Sequence, residues 1–386
     1  MSRKRVNVGI IGGGLMGREI AAAFGRWPAL LDVPVDVRLT AVCDVRPEAM
    51  DWFDRVDSVV LKTTDYRDLL ADSSVDVVYV AVRHDLHEQI YVDTIRAGKD
   101  LLAEKPFGID LGAAERICAA ASRHPEVFVR CSSEMPFYPG ADLAFKLVRS
   151  GELGTVIEAV NSFSHSSDLD LSKPINWKRQ VASCGAAGVM NDLGMHVAHV
   201  PLRLGWLPTS VYAVLQDLVG ERPGPDGAMV PCDTIENATL LCTVAQNGSP
   251  FPLTLATKRI DPGQQNSWTF RVTGLEGGVE FSTRYPKTLR RMEVRRGHQV
   301  WQEQETGSQS VFPTVTGPIF EPGFSDTILQ MWAAFLTERE GLLGDRFGCV
   351  TPDEALASHR LWTAALASAN ERRAVDPGLE TARFSD

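Results

Sequence analysis

Between an apolar run, Val6-Asn7-Val8-Gly9-Ile10-Ile11, and a helix-forming run, Arg18-Glu19-Ile20-Ala21-Ala22-Ala23-Phe24, the chain carries Gly12-Gly13-Gly14-Leu15-Met16-Gly17. A strand, Gly12-x-Gly14-x-x-Gly17 and a helix in that order predict a βαβ unit whose turn holds a dinucleotide pyrophosphate. Gly12 permits the tight turn, Gly14 lets the phosphates approach the backbone, and Gly17 lets helix and strand pack closely. The helix N-terminus presents N–H groups and a partial positive charge to the anion, so Leu15 and Met16 are expected beside the phosphates with the glycines. A second apolar run, residues 37–43, ends on Asp44, where a carboxylate accepts hydrogen bonds from the adenosine ribose. The stretch from Gly17 to Asp44 exceeds the usual spacing of about twenty. Residues 27–35, with Pro28 and Pro34, read as an inserted loop that accounts for the excess. Asp44 would bond a 2′-hydroxyl and repel a 2′-phosphate, which favours NAD over NADP; Arg46 partly offsets that charge.

The first third of the chain alternates strand and helix. Apolar runs at 75–82, 100–103 and 127–131 are separated by helical stretches at 86–96 and 111–123, the latter with Asp110 as its expected N-cap. This alternation predicts a doubly wound, mainly parallel sheet. After a helix at 140–150, ended by Gly151, strand-like segments dominate: 156–163, 211–218, 238–244, 253–259, 268–273, 279–282 and 292–296. Two Gly/Pro-rich loops, 219–231 and 306–323, are expected to be functional rims, oligomer contacts or disordered. Helices at 326–338 and 352–370 close the fold, and 374–386 reads as a frayed tail. The expected organisation is thus α/β followed by α+β. An N-terminal Rossmann domain with a doubly wound parallel sheet spans 1–135, and a mainly antiparallel sheet domain spans 136–386.

A chain of 386 residues accommodates two cores, and 44% hydrophobic with 23% charged residues is ordinary for a globular protein. A formal charge of −10 without a Lys/Arg cluster argues against a nucleic-acid partner. The short basic run Arg3-Lys4-Arg5 reads as a solvated approach to the first strand. No apolar stretch reaches the roughly twenty residues needed to span a bilayer, so no membrane partner is expected. Structure beginning near Val6 leaves no room for a signal-peptide apolar region. Seven cysteines without a C-x-x-C pair fit reduced thiols, and the expected location is cytoplasmic.

Two constellations carry chemistry. The strand at 101–103 runs into Glu104-Lys105-Pro106, at the end of a strand that faces the ligand crevice of such a sheet. A lysine there lies beside the nicotinamide, unless it is an ordinary surface lysine; its ammonium hydrogen-bonds a substrate hydroxyl, and desolvation makes it a proton carrier near neutral pH. The second is Asn191-Asp192-Leu193-Gly194-Met195-His196-Val197-Ala198-His199. Asp192 and His196, four apart, share one helix face, so a carboxylate orients an imidazole as acid/base chemistry requires. Two alternatives stand beside it. Asp192 or Asn191 could be a helix N-cap with His196 packed inside, or Asp192, His196 and His199 could hold zinc. No fourth ligand pattern is visible, and no metal is expected.

Together with Asp65-Tyr66-Arg67-Asp68-Leu69-Leu70, His87 and Ser150-Gly151-Glu152-Leu153-Gly154, these motifs and their order resemble the glucose-fructose oxidoreductase / inositol dehydrogenase / rhizopine catabolism family, Gfo/Idh/MocA. The resemblance covers nearly the whole chain. It implies NAD(P)-dependent oxidation of a secondary hydroxyl on a sugar, sugar derivative or inositol-like polyol. It also implies a sheet domain that commonly mediates homodimers or homotetramers. By the same resemblance Lys105 is the catalytic lysine, Asp192 and His196 its acid/base partners, and Glu104 and His87 contacts near the nicotinamide ribose. Three positions depart from the family pattern: Val82-Arg83-His84 replaces Thr-Pro-Asn, Ser133-Glu134-Met135-Pro136 replaces a segment with an Asn-Arg pair, and His199 replaces an aspartate. These bear on substrate identity more than on reaction type. His165, Trp177 and His199 are the expected substrate contacts, an indole face being suited to a sugar's C–H surface. Two other activities use the same scaffold: an NAD-dependent glycosidase that oxidises transiently, and a non-catalytic nucleotide-sensing regulator.

Overall fold

The computed structural model describes residues 3–307, 310–317 and 320–379, and divides into two compact units. The first comprises Met1–Gly108, Gly112–Phe137 and Ser308–Pro352; the second comprises Ile109–Leu111, Tyr138–Gly307 and Asp353–Asp386.

In the first unit β1 (Lys4–Ile11) leads into α1 (Leu15–Gly25), then β2 (Val35–Cys43), β3 (Leu61–Thr63), α2 (Tyr66–Ala71), β4 (Val77–Val80), α3 (His87–Arg96), β5 (Asp100–Ala103), α4 (Leu111–Arg123) and β6 (Val129–Cys131). The six strands form a parallel sheet in the order β3-β2-β1-β4-β5-β6. Val6, Val8 and Ile10 have no exposed surface, as a strand covered on both faces requires. Strand order reverses between β1 and β4, and the crevice outside the carboxyl ends of these neighbours is where such sheets bind ligands.

The insert and the second long loop, both read as loops from the amino-acid pattern, are partners. Trp27 is buried and donates its indole N–H to the Val35 carbonyl at 3.0 Å. Residues 310–317 lie against this insert: Leu31 N–H bonds Pro313 O, Val315 N–H bonds Ala29 O, and Leu30 bridges Thr314. Residues 308, 309, 318 and 319 of that loop lie outside the described residues.

In the second unit α5 (Pro139–Arg149) and β7 (Val156–Ser164) are followed by α6 (Val181–Cys184), α7 (Val189–Arg203), β8 (Ser210–Gln216), β9 (Glu221–Pro223), β10 (Met229–Pro231), β11 (Asn237–Gln246), β12 (Ser249–Lys258), β13 (Ser267–Gly274), β14 (Gly277–Ser282), β15 (Thr288–Arg295) and β16 (His298–Glu305). Eight of these strands form one sheet in the order β16-β15-β14-β13-β7-β12-β11-β8, antiparallel except where β7 meets β12. Helices α5 and α7 pack on it.

Several expectations are corrected. The loop expected at 219–231 contains a hairpin, β9 paired with β10. Strand β16 was not anticipated, because every residue in it is exposed and no apolar alternation marks it. Helix α8 (Phe324–Arg339), assigned by the 136–386 boundary to the second domain, belongs to the first unit with the rest of 308–352. Trp332 on α8 meets Phe24 on α1 edge to face at 4.7 Å, and Arg339 bonds Asp100 at 2.5 Å. Helix α9 (Pro352–Glu371) precedes a segment that is not frayed throughout, since Val375 exchanges both backbone hydrogen bonds with Val211. Residues 380–386 of the expected tail lie outside the described residues.

Candidate active site

The glycine turn has the form a pyrophosphate needs. Gly12 has φ +108°, and a Cβ there would lie 2.2 Å from the Ala81 carbonyl oxygen at the end of β4. A Cβ on Gly17 would lie 2.2 Å from Gly12 O and 3.2 Å from Ile10, so only glycine lets α1 approach β1 this closely. At Gly14, the N-cap of α1, a Cβ would meet nothing within 4 Å. The turn is therefore closed on its protein side and open over the helix N-terminus, where Leu15 is exposed and Met16 half-buried. Asp44 follows β2 and accepts the Gly13 N–H at 2.9 Å and the Arg46 N–H at 3.0 Å. The exposed Arg46 guanidinium stands 3.6 Å from the same carboxylate. These residues fit a dinucleotide, with Gly12, Gly14 and the first turn of α1 at the phosphates and Asp44 at the ribose.

Glu104, buried directly after β5, is the centre of a polar cluster. Its Oε1 accepts hydroxyl hydrogens from Tyr79 (2.6 Å) and Ser132 (2.7 Å), while Oε2 accepts the Lys105 backbone N–H at 3.2 Å. Tyr91 donates to the Glu104 carbonyl at 2.7 Å. Four donors from β4, α3, β5 and the end of β6 thus fix the backbone that carries Lys105. His87, with no exposed surface, has Nδ1 2.8 Å from Pro106 O and Nε2 3.1 Å from Val82 O. Burial outweighs both carbonyls and lowers its pKa, so the ring is neutral with a single N–H, which the shorter contact assigns to Nδ1. Through that N–H His87 ties the Lys105-Pro106 turn to α3, with the Val82 carbonyl beside the other ring nitrogen. Glu134, buried after β6, has its carboxyl raised to about 7 by desolvation and then by the Glu104 charge.

In the second unit α7 begins at Val189 behind Gly188, so neither Asn191 nor Asp192 is its N-cap. Asn191 instead donates to Ile109 O and Cys184 O at 2.9 and 2.8 Å. A Cβ on Gly194 would lie 2.5 Å from the Trp362 ring, which explains the glycine between Asp192 and His196: it lets α9 press against α7. Asp192 is held by Lys178 at 2.8 Å and Arg259 at 3.2 Å. His196 meets the Phe163 ring edge to face at 5.2 Å, and its carbonyl accepts the Trp268 indole N–H at 2.8 Å. Phe163 also contacts His165 at 4.8 Å, so two of the expected site histidines share one aromatic neighbour. Trp177 is half-buried, with Lys178 Nζ 5.6 Å from its ring centroid. His199 has no exposed surface; its Nε2 is 3.4 Å from Arg203, which forms a bidentate pair with Glu354 of α9. Burial, then Arg203, pushes its pKa well below the ordinary value, so His199 is neutral. Among the described residues no group of three or more His, Cys, Asp or Glu side chains is placed to hold a metal ion, and no helix is long and apolar enough to cross a membrane.

Amino-acid pattern alone did not single out Tyr79, Tyr91, Ser132, Lys178 or Arg259. The nearest signal was position, since Tyr79 and Ser132 sit in or just after strands that end beside β5, and Arg259 directly follows β12.

Comparison with known proteins places the fold in a family. Residues 6–130 match the oxidoreductase family model with an NAD-binding Rossmann fold, and residues 143–280 match the GFO/IDH/MocA C-terminal domain. Levoglucosan dehydrogenase from Pseudarthrobacter phenanthrenivorans is 25% identical over 329 residues, 82% of this chain and 81% of that protein. D-xylose 1-dehydrogenase (NADP(+)) from Hypocrea jecorina is 24% identical over 258 residues, 64% of each. A solved levoglucosan dehydrogenase in complex with NADH and L-sorbose superposes with a TM-score of 0.86 at 23% identity, over 97% of this chain and 99% of that one. The chain is an NAD-binding oxidoreductase of the Gfo/Idh/MocA family.

Proposed function

We propose that this chain oxidises a secondary hydroxyl of a sugar, sugar derivative or inositol-like polyol with NAD. The observation that carries the reading is the Glu104 cluster, which spends four hydrogen bonds on fixing the one turn that bears Lys105. The names of the relatives support a sugar substrate.

When bound, NAD supplies the hydride acceptor. Gly12, Gly14, Leu15, Met16 and Gly17 hold its phosphates and Asp44 its ribose, with NAD favoured over NADP by the carboxylate. Lys105 hydrogen-bonds the substrate oxygen and stabilises the developing alkoxide, while His196, supported by Asp192, takes the hydroxyl proton. His165 and Trp177 contact the sugar. His199, neutral and set against Arg203, we assign to the packing of α7 on α9.

The open face of the eight-stranded sheet carries Tyr212 opposite Leu241, with Val214 beside them, all exposed; this apolar row supports a homodimer or homotetramer, measurable by light scattering. Seven cysteines that form no disulfide fit a cytoplasmic location.

The test is a panel of levoglucosan, D-xylose and myo-inositol with NAD, followed by NADH absorbance, with K105A and H196A beside the parent. Each variant is expected to lose activity by about a hundredfold or more, with NAD affinity nearly intact. Unchanged turnover in both removes the mechanism. Glycoside cleavage without net NADH would replace dehydrogenation.

A further inference from the structure

Asp192 is gripped from two sides by cations on different segments of the second unit. Lys178 Nζ lies 2.8 Å from Oδ1, and Arg259 Nε lies 3.2 Å from Oδ2. Arg259 is 2% exposed and is fixed by further bonds, to Lys178 O at 3.1 Å and Gly188 O at 3.5 Å. The Lys178 side chain is 36% exposed. Around them stand Arg179, which is ion-paired with Asp168, then Glu236, Arg222 and Cys184. A buried carboxylate with a cation on each oxygen stays ionised and is held in one rotamer.

We propose that Lys178 is a positioning residue for the reaction: with Arg259 it closes a clamp that holds the Asp192 carboxylate charged and in a single orientation. The inference rests on the reading that Asp192 and His196 act together, one helical turn apart. Arg259 is the structural half of the clamp, tying the exit of β12 to the 177–179 turn and to the start of α7. Lys178 is the half that solvent reaches, so its loss takes the cation from Oδ1 while Arg259 stays on Oδ2.

The test uses the full chain with NAD and whichever of levoglucosan, D-xylose and myo-inositol it turns over fastest. K178M is expected to lower kcat about ten- to a hundredfold, with the KM for NAD within about twofold of the parent. K178R is expected to recover most of the rate, because it restores a cation to Oδ1. In a D192N background K178M should cost less than about twofold more, since residues that act through one another are not additive. Parental kcat in K178M, a K178R as slow as K178M, or losses that multiply in the double variant would each overturn the proposal. K178Q, checked by thermal unfolding, serves if the methionine variant folds poorly. A crystal structure of K178M reads the clamp without any substrate: the Asp192 carboxylate is expected to leave its present orientation, and an unmoved carboxylate sinks the idea. H196A separates the two levels of argument. If it keeps full turnover, the underlying mechanism falls and this inference with it; if it is inactive while K178M is not slowed, only the clamp's role falls.

Discussion

The Asp44 carboxylate accepts the Gly13 backbone N–H at 2.9 Å, so the residue proposed to hold the ribose also braces the glycine turn. Substitutions at Asp44 can separate the two roles. D44N keeps an acceptor for Gly13 but loses the charge that repels a 2′-phosphate. Its preference for NAD over NADP, as a ratio of kcat/KM values, is expected to fall by about tenfold or more, since that ratio reports a charge contact worth roughly 1–2 kcal/mol. D44A loses the brace as well, and its melting temperature should drop further than that of D44N. Steady-state kinetics with both cofactors decides the point; an unchanged ratio in D44N would remove Asp44 as the selector.

Gly12 and Gly14 predict opposite outcomes for the same substitution. G12A drives a methyl against the Ala81 carbonyl at positive φ and should destabilise the fold by several kcal/mol, on the order of 3 or more. G14A meets open space, and its φ of −72° suits alanine, so unfolding of the cofactor-free protein should change by less than about 1 kcal/mol. NAD affinity of G14A is nevertheless expected to fall at least tenfold (about 1.4 kcal/mol), because the methyl occupies the phosphate approach. Calorimetric titration of NAD into G14A checks this, and parental affinity would place the pyrophosphate elsewhere.

Glu134 makes stability depend on pH with a definite sign. Its carboxyl rises from an ordinary 4.5 to about 7 in the folded chain, so the folded state holds this proton more tightly than the unfolded state does. The resulting stability is fully present below about pH 4.5 and is lost as pH rises through about 7. E134Q cannot ionise and escapes that loss. Measured by denaturant unfolding, E134Q should gain on the parent progressively between those pH values, by on the order of 3 kcal/mol. A difference between the two proteins that stays flat with pH would show that Glu134 is not held protonated.

Tyr79 and Ser132 converge on one oxygen of Glu104. Y79F removes the shorter of the two bonds and leaves the ring in place, so a stability cost of about 1–3 kcal/mol is expected, typical of a hydrogen bond to a buried charged group. Because Glu104 in turn holds the Lys105 backbone, kcat should fall with it while the KM for NAD moves little. Y79F with parental stability and kcat would mean that the cluster does not position Lys105.

Local pattern was enough for the first unit's sheet and for the glycine turn, because a parallel strand covered on both faces is a continuous apolar run and Gly12 and Gly17 answer to their immediate neighbours. It also offered Lys105, Asp192 and His196 as the candidates for the chemistry, on residue type and spacing alone. What it could not supply was the identity of long-range partners. Strand β16 is exposed along its whole length and leaves no periodic trace. Residues 27–35 and 310–317 read as two unrelated loops until their backbones pair, and α8 lies some two hundred residues downstream of the strands it covers. Pattern marked His87 as a candidate cofactor contact but could not show that its ring lies between the Pro106 and Val82 carbonyls. The cations on Asp192 are 14 residues before it and 67 after it in the chain. Burial of a charge demands a partner but does not say which one, and only the packing of β12, the 177–179 turn and α7 selects Lys178 and Arg259.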